Sequence, residues 1–169
     1  GDSRTWIPYF MSANHCISNQ TVASTMETLW NYRSSSCNGS STDSTYQRLT
    51  GGATLLWTKG MSSSSDSSNL DTSFFQLNDE VPSNIYFAGW SSNTISNGTM
   101  TGVHNPSGNL TKISFGSYSG DRYTCWSTGD TSFSCSESSS GSFYLIEYSD
   151  GGTEGGSSGN KALLEHMKT

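Results

Sequence analysis

Three residue types suited to acyl transfer sit far apart in this 169-residue chain. His15 lies in Ser12-Ala13-Asn14-His15-Cys16, Asp71 stands ahead of Phe74-Phe75, and Ser158 falls inside Gly155-Gly156-Ser157-Ser158-Gly159. A serine hydroxyl is a weak nucleophile at neutral pH, so it needs a base to take its proton and a carboxylate to hold that base in the right tautomer. His15 follows an apolar, alternating run (Trp6, Ile7, Tyr9, Phe10, Met11) and is the base candidate. Asp71 lies between Leu70 and an apolar strand, where a carboxylate is costly to bury unless a partner such as an imidazole offsets the loss of water. Glycines around Ser158 permit a tight turn, so that the amides of Gly156 and Ser158 can converge on one point and stabilise a developing oxyanion. Each piece has a plainer reading: a structural His, a turn Asp, a flexible Gly/Ser linker. The three together, in the order His, Asp, Ser and at spacings of 56 and 87 residues, are what point to a nucleophilic hydrolase.

Such groups need rigid elements to hold them. Short runs of strand character recur at 6–12, 26–32, 53–57, 73–77, 84–90, 110–118, 123–127 and 143–148, separated by Gly, Ser and Asn clusters. With no long helical periodicity, and with 12% aromatic residues that suit half-buried strands, the chain reads as all-β, a barrel or a sandwich. The Ser-rich stretches 60–68 and 136–142 read as exposed loops. The segment 161–168 has helix-forming residues that nothing earlier prepares for, and 161–169 is treated as a tail of uncertain origin.

Charged residues make up only 13% of the chain and the formal net charge is −6. This balance speaks against nucleic acid or an anionic membrane surface as a partner, since both require a basic footprint. No apolar run approaches the roughly 20 residues of a membrane-spanning helix. Neither an initiator Met nor a signal-peptide core opens the sequence, so any targeting segment lies outside it.

Four cysteines, at 16, 37, 125 and 135, accompany Asn-X-Ser/Thr triplets beginning at Asn19, Asn38, Asn97 and Asn109, which together favour an oxidising, extracellular setting. Their spacing does not fit a zinc site. Cys125 and Cys135 lie on two short strands, and a local disulfide closing that hairpin is geometrically easy, worth roughly 2 to 3 kcal/mol on loop-entropy grounds.

The stretch Pro8-Tyr9-Phe10-Met11-Ser12-Ala13-Asn14-His15-Cys16-Ile17-Ser18 resembles the catalytic-His region of the bacterial lysyl endopeptidases, secreted trypsin-like enzymes of the Achromobacter protease type. Further matches follow in register: Leu29-Trp30-Asn31-Tyr32 with Cys37, Leu70-Asp71-Thr72-Ser73-Phe74-Phe75-Gln76-Leu77, Phe87-Ala88-Gly89-Trp90, Val103-His104-Asn105-Pro106 with Lys112-Ile113-Ser114, and the nucleophile motif from Gly152 to Gly159. The resemblance implies His15 as general base, Asp71 as its orienting carboxylate, Ser158 as nucleophile, and Gly156 with Ser158 as oxyanion-hole amides. It implies no catalytic part for His104, whose expected role is structural. It also implies a piece of a trypsin-like double β-barrel, incomplete at both ends, with residues 1–80 in the first barrel, 81–160 in the second, and open edges that leave the piece poorly stable alone. The implied partners of Cys16 and Cys37, and the acidic residue behind the family's lysine preference, belong to segments outside this sequence. Asn160 departs from the small Ser the family pattern has after Gly159.

The expectation is thus a secreted, monomeric serine endopeptidase acting on protein or peptide, possessing no metal or organic cofactor, with activity rising with pH through an imidazole titration, near about 6.5 when unperturbed. Two alternatives stay open: an inactive protease homologue, and an extracellular β-sandwich that binds carbohydrate or protein. The separation of Ser158 from His15 distinguishes the last from the hydrolase.

Overall fold

The computed structural model describes residues 6–129 and 132–159 and the backbone of 161–164. It is built almost wholly of strands: β1 (Tyr9–Ser12), β2 (Thr28–Trp30), β3 (Gln47–Leu49), β4 (Ala53–Lys59), β5 (Thr72–Leu77), β6 (Gly98–His104), β7 (Lys112–Ser127), β8 (Phe133–Glu137), β9 (Phe143–Asp150) and β10 (Lys161–Leu164). One short helix, α1 (Gln20–Ser24), and a 3₁₀ turn at Pro106–Gly108 complete the described elements. The fold class is all-β.

The first sheet has the order β1-β5-β4, antiparallel throughout. Strand β5 alternates strictly enough that Ser73, Phe75 and Leu77 point inward, and Phe75 and Leu77 join Ala23 and Ala53 in the core. Phe10, Ile17, Met26, Trp30, Leu55 and Val81 pack around them. Helix α1 closes one end. Its N-cap Asn19 accepts from the Val22 amide at 3.1 Å, and the Gln20 amide group both donates to Ala53 O at 3.0 Å and accepts from Leu55 N at 2.8 Å. Gln20 therefore takes the place of a neighbouring strand along that part of the β4 edge. A separate two-stranded ribbon pairs β2 with β3.

The second sheet runs β10-β6-β7-β8, with β9 also paired to β7. Strand β7 is 16 residues long and serves as its spine. Its first half pairs with β6 and β9, and after an irregularity between Tyr118 and Arg122 its second half pairs with β8 along its length and with β9 at Arg122 and Tyr123. Ser114, Gly116 and Tyr118 face inward along β7, opposite Gly102, Met100 and Gly98 of β6, and His104 at the end of β6 faces the same way. Both large sheets are open, and no barrel closes among the described residues.

Two expectations require correction, and the tail gains a place. Residues 84–90 form no strand; Asn84 has a φ of 66°, which breaks extended backbone, and Tyr86 and Trp90 are 97% and 90% exposed with no neighbouring strand to cover them. The runs at 110–118 and 123–127 belong to a single strand. Residues 161–164, whose origin the sequence leaves open, pair antiparallel with β6, Lys161 opposite Val103 and Leu164 opposite Met100, so pairing with the sheet overrides their helix-forming composition. The remaining tail, 165–169, lies outside the described residues.

Candidate active site

Strand β1 ends at Ser12 and the chain turns at once, with the amides of Cys16 and Ile17 both donating to Ala13 O at 3.2 Å. That turn projects His15 from the end of the first sheet. The Asn14 side chain anchors it by donating to Thr58 Oγ1 at 2.7 Å, and Ile17 O accepts from Ser73 Oγ at 2.7 Å. Asp71 stands one residue before β5, beside β1 in the same sheet, so sheet register alone brings it near His15.

Asp71 holds His15 by two atoms. Its Oδ1 accepts from the His15 amide at 2.9 Å and its Oδ2 lies 2.6 Å from Nδ1 of the ring. The opposite ring nitrogen, Nε2, lies 3.0 Å from Ser158 Oγ. The carboxylate is largely covered, 21% exposed, while the imidazole is 54% exposed. An Nδ1–H donated to the carboxylate leaves the Nε2 lone pair directed at the serine hydroxyl, the arrangement in which imidazole can accept a proton from an attacking oxygen.

Ser158 follows β9 in a turn that leans on the 3₁₀ turn at Pro106–Gly108. The Ser107 amide donates to Gly155 O at 2.6 Å, Ser107 Oγ donates to Glu154 Oε2 at 2.9 Å, and Ser157 N donates to Glu154 O at 3.0 Å. Gly156 has a φ of 86° and Gly159 a φ of 81°, the left-handed region that favours glycine. At Gly159 the requirement is doubled, because an added Cβ would stand 2.9 Å from Ala13 N and from Ser12 Cα. This close approach sets the nucleophile turn against the turn bearing His15.

Asn69 ties the halves together beneath these groups. It is 1% exposed; its Oδ1 accepts from Ser62 N at 3.0 Å, and its Nδ2 donates to Ser64 O and to Cys125 O, both at 2.9 Å. Ser127 N donating to Ser62 O at 2.8 Å and Thr111 N donating to Tyr32 O at 2.9 Å add two further links. Cys125 and Cys135 sit opposite each other on β7 and β8 and are joined by a disulfide. Cys16 and Cys37 are free and exposed. Partial burial, and secondarily the charge of Asp71, push the Cys16 thiol above its ordinary range.

A cleft of about 480 Å³ opens beside the three groups, lined by Asn14, His15, Asp71, Ser158 and, on the far wall, Ser127, Phe133 and Phe143 among others. A more open depression of about 660 Å³ adjoins it through Ser127 and Gly129, but Ser63, Trp126 and Thr128 complete its lining and it carries no titratable side chain. Among the described residues no cluster of His, Cys, Asp or Glu is arranged to hold a metal ion, and no helix is long and apolar enough to cross a membrane.

Residues 2–168 match the family described as lysyl endopeptidase, C-terminal domain. The chain belongs to this family. It is also 34% identical over 113 residues to the lysyl endopeptidase of Pseudomonas aeruginosa, a match covering 65% of this chain and 23% of that protein. The chain thus corresponds to less than a quarter of its relative's length.

Within this family member the structure brings together His15, Asp71 and Ser158, with Gly156 in the same turn as Ser158. The sequence reading missed Asn69, whose polar side chain in a Ser-rich stretch carries no periodic signal, and missed that His104 is bonded to the residue before Ser158.

Proposed function

We propose that the chain bears the reacting groups of a secreted serine endopeptidase, with His15 as general base, Asp71 as its orienting carboxylate and Ser158 as nucleophile. The observation that carries this reading is the imidazole of His15 lying 2.6 Å from Asp71 Oδ2 and 3.0 Å from Ser158 Oγ through its two nitrogens. Ser158 Oγ attacks the carbonyl of a peptide seated in the cleft while His15 Nε2 takes the hydroxyl proton. The resulting oxyanion is received by the amides of Gly156 and Ser158. His15 then protonates the departing amine, leaving an acyl-enzyme, and activates the water that hydrolyses it. Throughout, the Asp71 carboxylate stabilises the imidazolium. These steps use no metal or organic cofactor, and a single copy of the chain supplies every group they name.

The two sheets are read as parts of the two barrels of a trypsin-like fold, with the cleft between them. Support comes from the family match and from the way β1 and β5 deliver His15 and Asp71 while the turn after β9 delivers Ser158. The Cys125–Cys135 disulfide supports secretion, since such bonds persist in oxidising compartments. Cleavage after lysine is proposed by likeness to the lysyl endopeptidase of Pseudomonas aeruginosa.

Hydrolysis of peptides differing only at the residue before the scissile bond tests the reading. Cleavage fastest after lysine, and lost in Ser158→Ala, is the expected result. Cleavage that persists in Ser158→Ala would remove the assignment.

A further inference from the structure

His104 is 3% exposed, and both of its ring nitrogens are engaged. Nδ1 lies 2.9 Å from Ser157 Oγ and Nε2 lies 2.8 Å from Ser114 Oγ. The donors and acceptors around Ser114 decide which nitrogen carries the proton. Ser114 Oγ donates its one proton to Gly152 O at 3.0 Å and accepts from Gly152 N at 3.2 Å, so toward His104 it can only accept. Nε2 must therefore bear the hydrogen. In the neutral ring Nδ1 is bare and accepts from the Ser157 hydroxyl, whose oxygen also accepts from Glu154 N at 3.4 Å. The neutral Nε2–H tautomer of His104 satisfies each of these bonds. It fastens the loop at Gly152 through Ser114 and at Ser157 directly, that is, at its entry and at the residue immediately before Ser158.

We propose that His104 is a positioning residue for the nucleophile: as the neutral Nε2–H tautomer it clamps both ends of the 152–157 loop to β6 and β7 and so holds Ser158 Oγ within hydrogen-bond distance of His15. This rests on the reading of Ser158 as nucleophile. A buried histidine serving only to fill space would not need one nitrogen on the loop and the other on the serine that bonds the loop's entry, nor a tautomer dictated by that serine. A displacement of about 1 Å at a reacting atom can lower a rate by about 100-fold, so a clamp one residue from the nucleophile is placed to control the rate without touching substrate.

The experiment uses the full chain. Long-range ¹H–¹⁵N spectra assign the His104 tautomer, and Ser157→Ala, His104→Gln and the parent are compared by the rate of phosphonylation at Ser158, by kcat and KM on a lysyl ester, by thermal melting, and by the Ser158 amide shift. The expected result is a protonated Nε2 with a bare Nδ1 in the parent. Ser157→Ala, a minimal truncation, should lower kcat and the phosphonylation rate by about 10- to 100-fold with KM changed less than about threefold. His104→Gln, which keeps a donor and an acceptor, should retain more activity than His104→Leu. A protonated Nδ1, or a Ser157→Ala rate within twofold of the parent, overturns the proposal. Should the parent itself fail to react at Ser158, the endopeptidase reading is what has failed. The clamp is then judged on the tautomer and on the Ser158 amide shift, which must move in Ser157→Ala for the proposal to stand.

Discussion

Each of the three reacting groups is defined by what surrounds it. Asp71 spends one oxygen on the His15 amide and the other on its ring, so removing the charge disturbs both the orientation of the imidazole and the stabilisation of its cation. Asp71→Asn should therefore lower kcat by about 10⁴-fold, measured on a lysyl ester. The same substitution has an opposite effect one residue away. Because the Asp71 charge contributes to raising the Cys16 thiol, Asp71→Asn should speed alkylation of Cys16 by iodoacetamide at pH 8, the thiolate being the reactive form. Unchanged Cys16 reactivity would show that burial alone sets the thiol. His15 and Asp71 were legible because the chain has only three His and is only 13% charged, whereas Ser158, one serine among many, was legible only from its glycine-flanked turn and its place after the other two. Asn69, Ser114 and Ser157 were not legible. Their importance lies in bonds to residues 56, 38 and 53 positions away, and nothing about an Asn or Ser among many marks such a partner.

At the scale of elements, the site depends on two turns meeting. Gly159 is forced by a φ of 81° and by the backbone at Ser12 and Ala13, so Gly159→Ala should destabilise the chain by about 1 to 2 kcal/mol and slow phosphonylation of Ser158, both read on one sample by melting and mass spectrometry. A variant that melts normally yet reacts slowly would locate the effect in the approach of the turns. Asn69→Leu should cost about 1 to 3 kcal/mol for each backbone group among Ser62 N, Ser64 O and Cys125 O left buried without a partner, read from denaturant unfolding. Strands with alternating apolar residues, such as β1 and β5, were visible in the sequence. Strand β6 was not, because Gly98 and Gly102 dilute the pattern, and neither was β3, only three residues of a ribbon; β8 was legible only through Cys135 and its hairpin with Cys125. The run at 84–90 shows the reverse error: aromatic residues give strand character, but with no partner strand and a left-handed Asn84 the propensity has nothing to act on.

For the whole molecule, stability rests on a small apolar core, one disulfide and polar links between the sheets. The core of Ala23, Ala53, Phe75 and Leu77 lies between the first sheet and helix α1, whereas inward positions of the second sheet include Ser114, His104 and Thr124. Buried polar networks stand in there for apolar packing, which makes their full satisfaction matter more. Reduction of the Cys125–Cys135 bond should lower stability by about 2 to 3 kcal/mol, seen as a shift of the denaturant midpoint, and should loosen the cleft wall that Cys125 and Phe133 help to form. The overall all-β class followed from composition and turn spacing. The open sheets and the pairing of β10 with β6 depend on long-range register, which local propensity does not encode.

The most direct test of the central claim is reaction of the chain with a fluorophosphonate, read over time by peptide mass spectrometry. A single adduct on Ser158 is predicted, its formation slowed by several orders of magnitude in His15→Ala. An adduct that forms equally fast in His15→Ala, or the absence of any adduct on Ser158 in the folded chain, would contradict it.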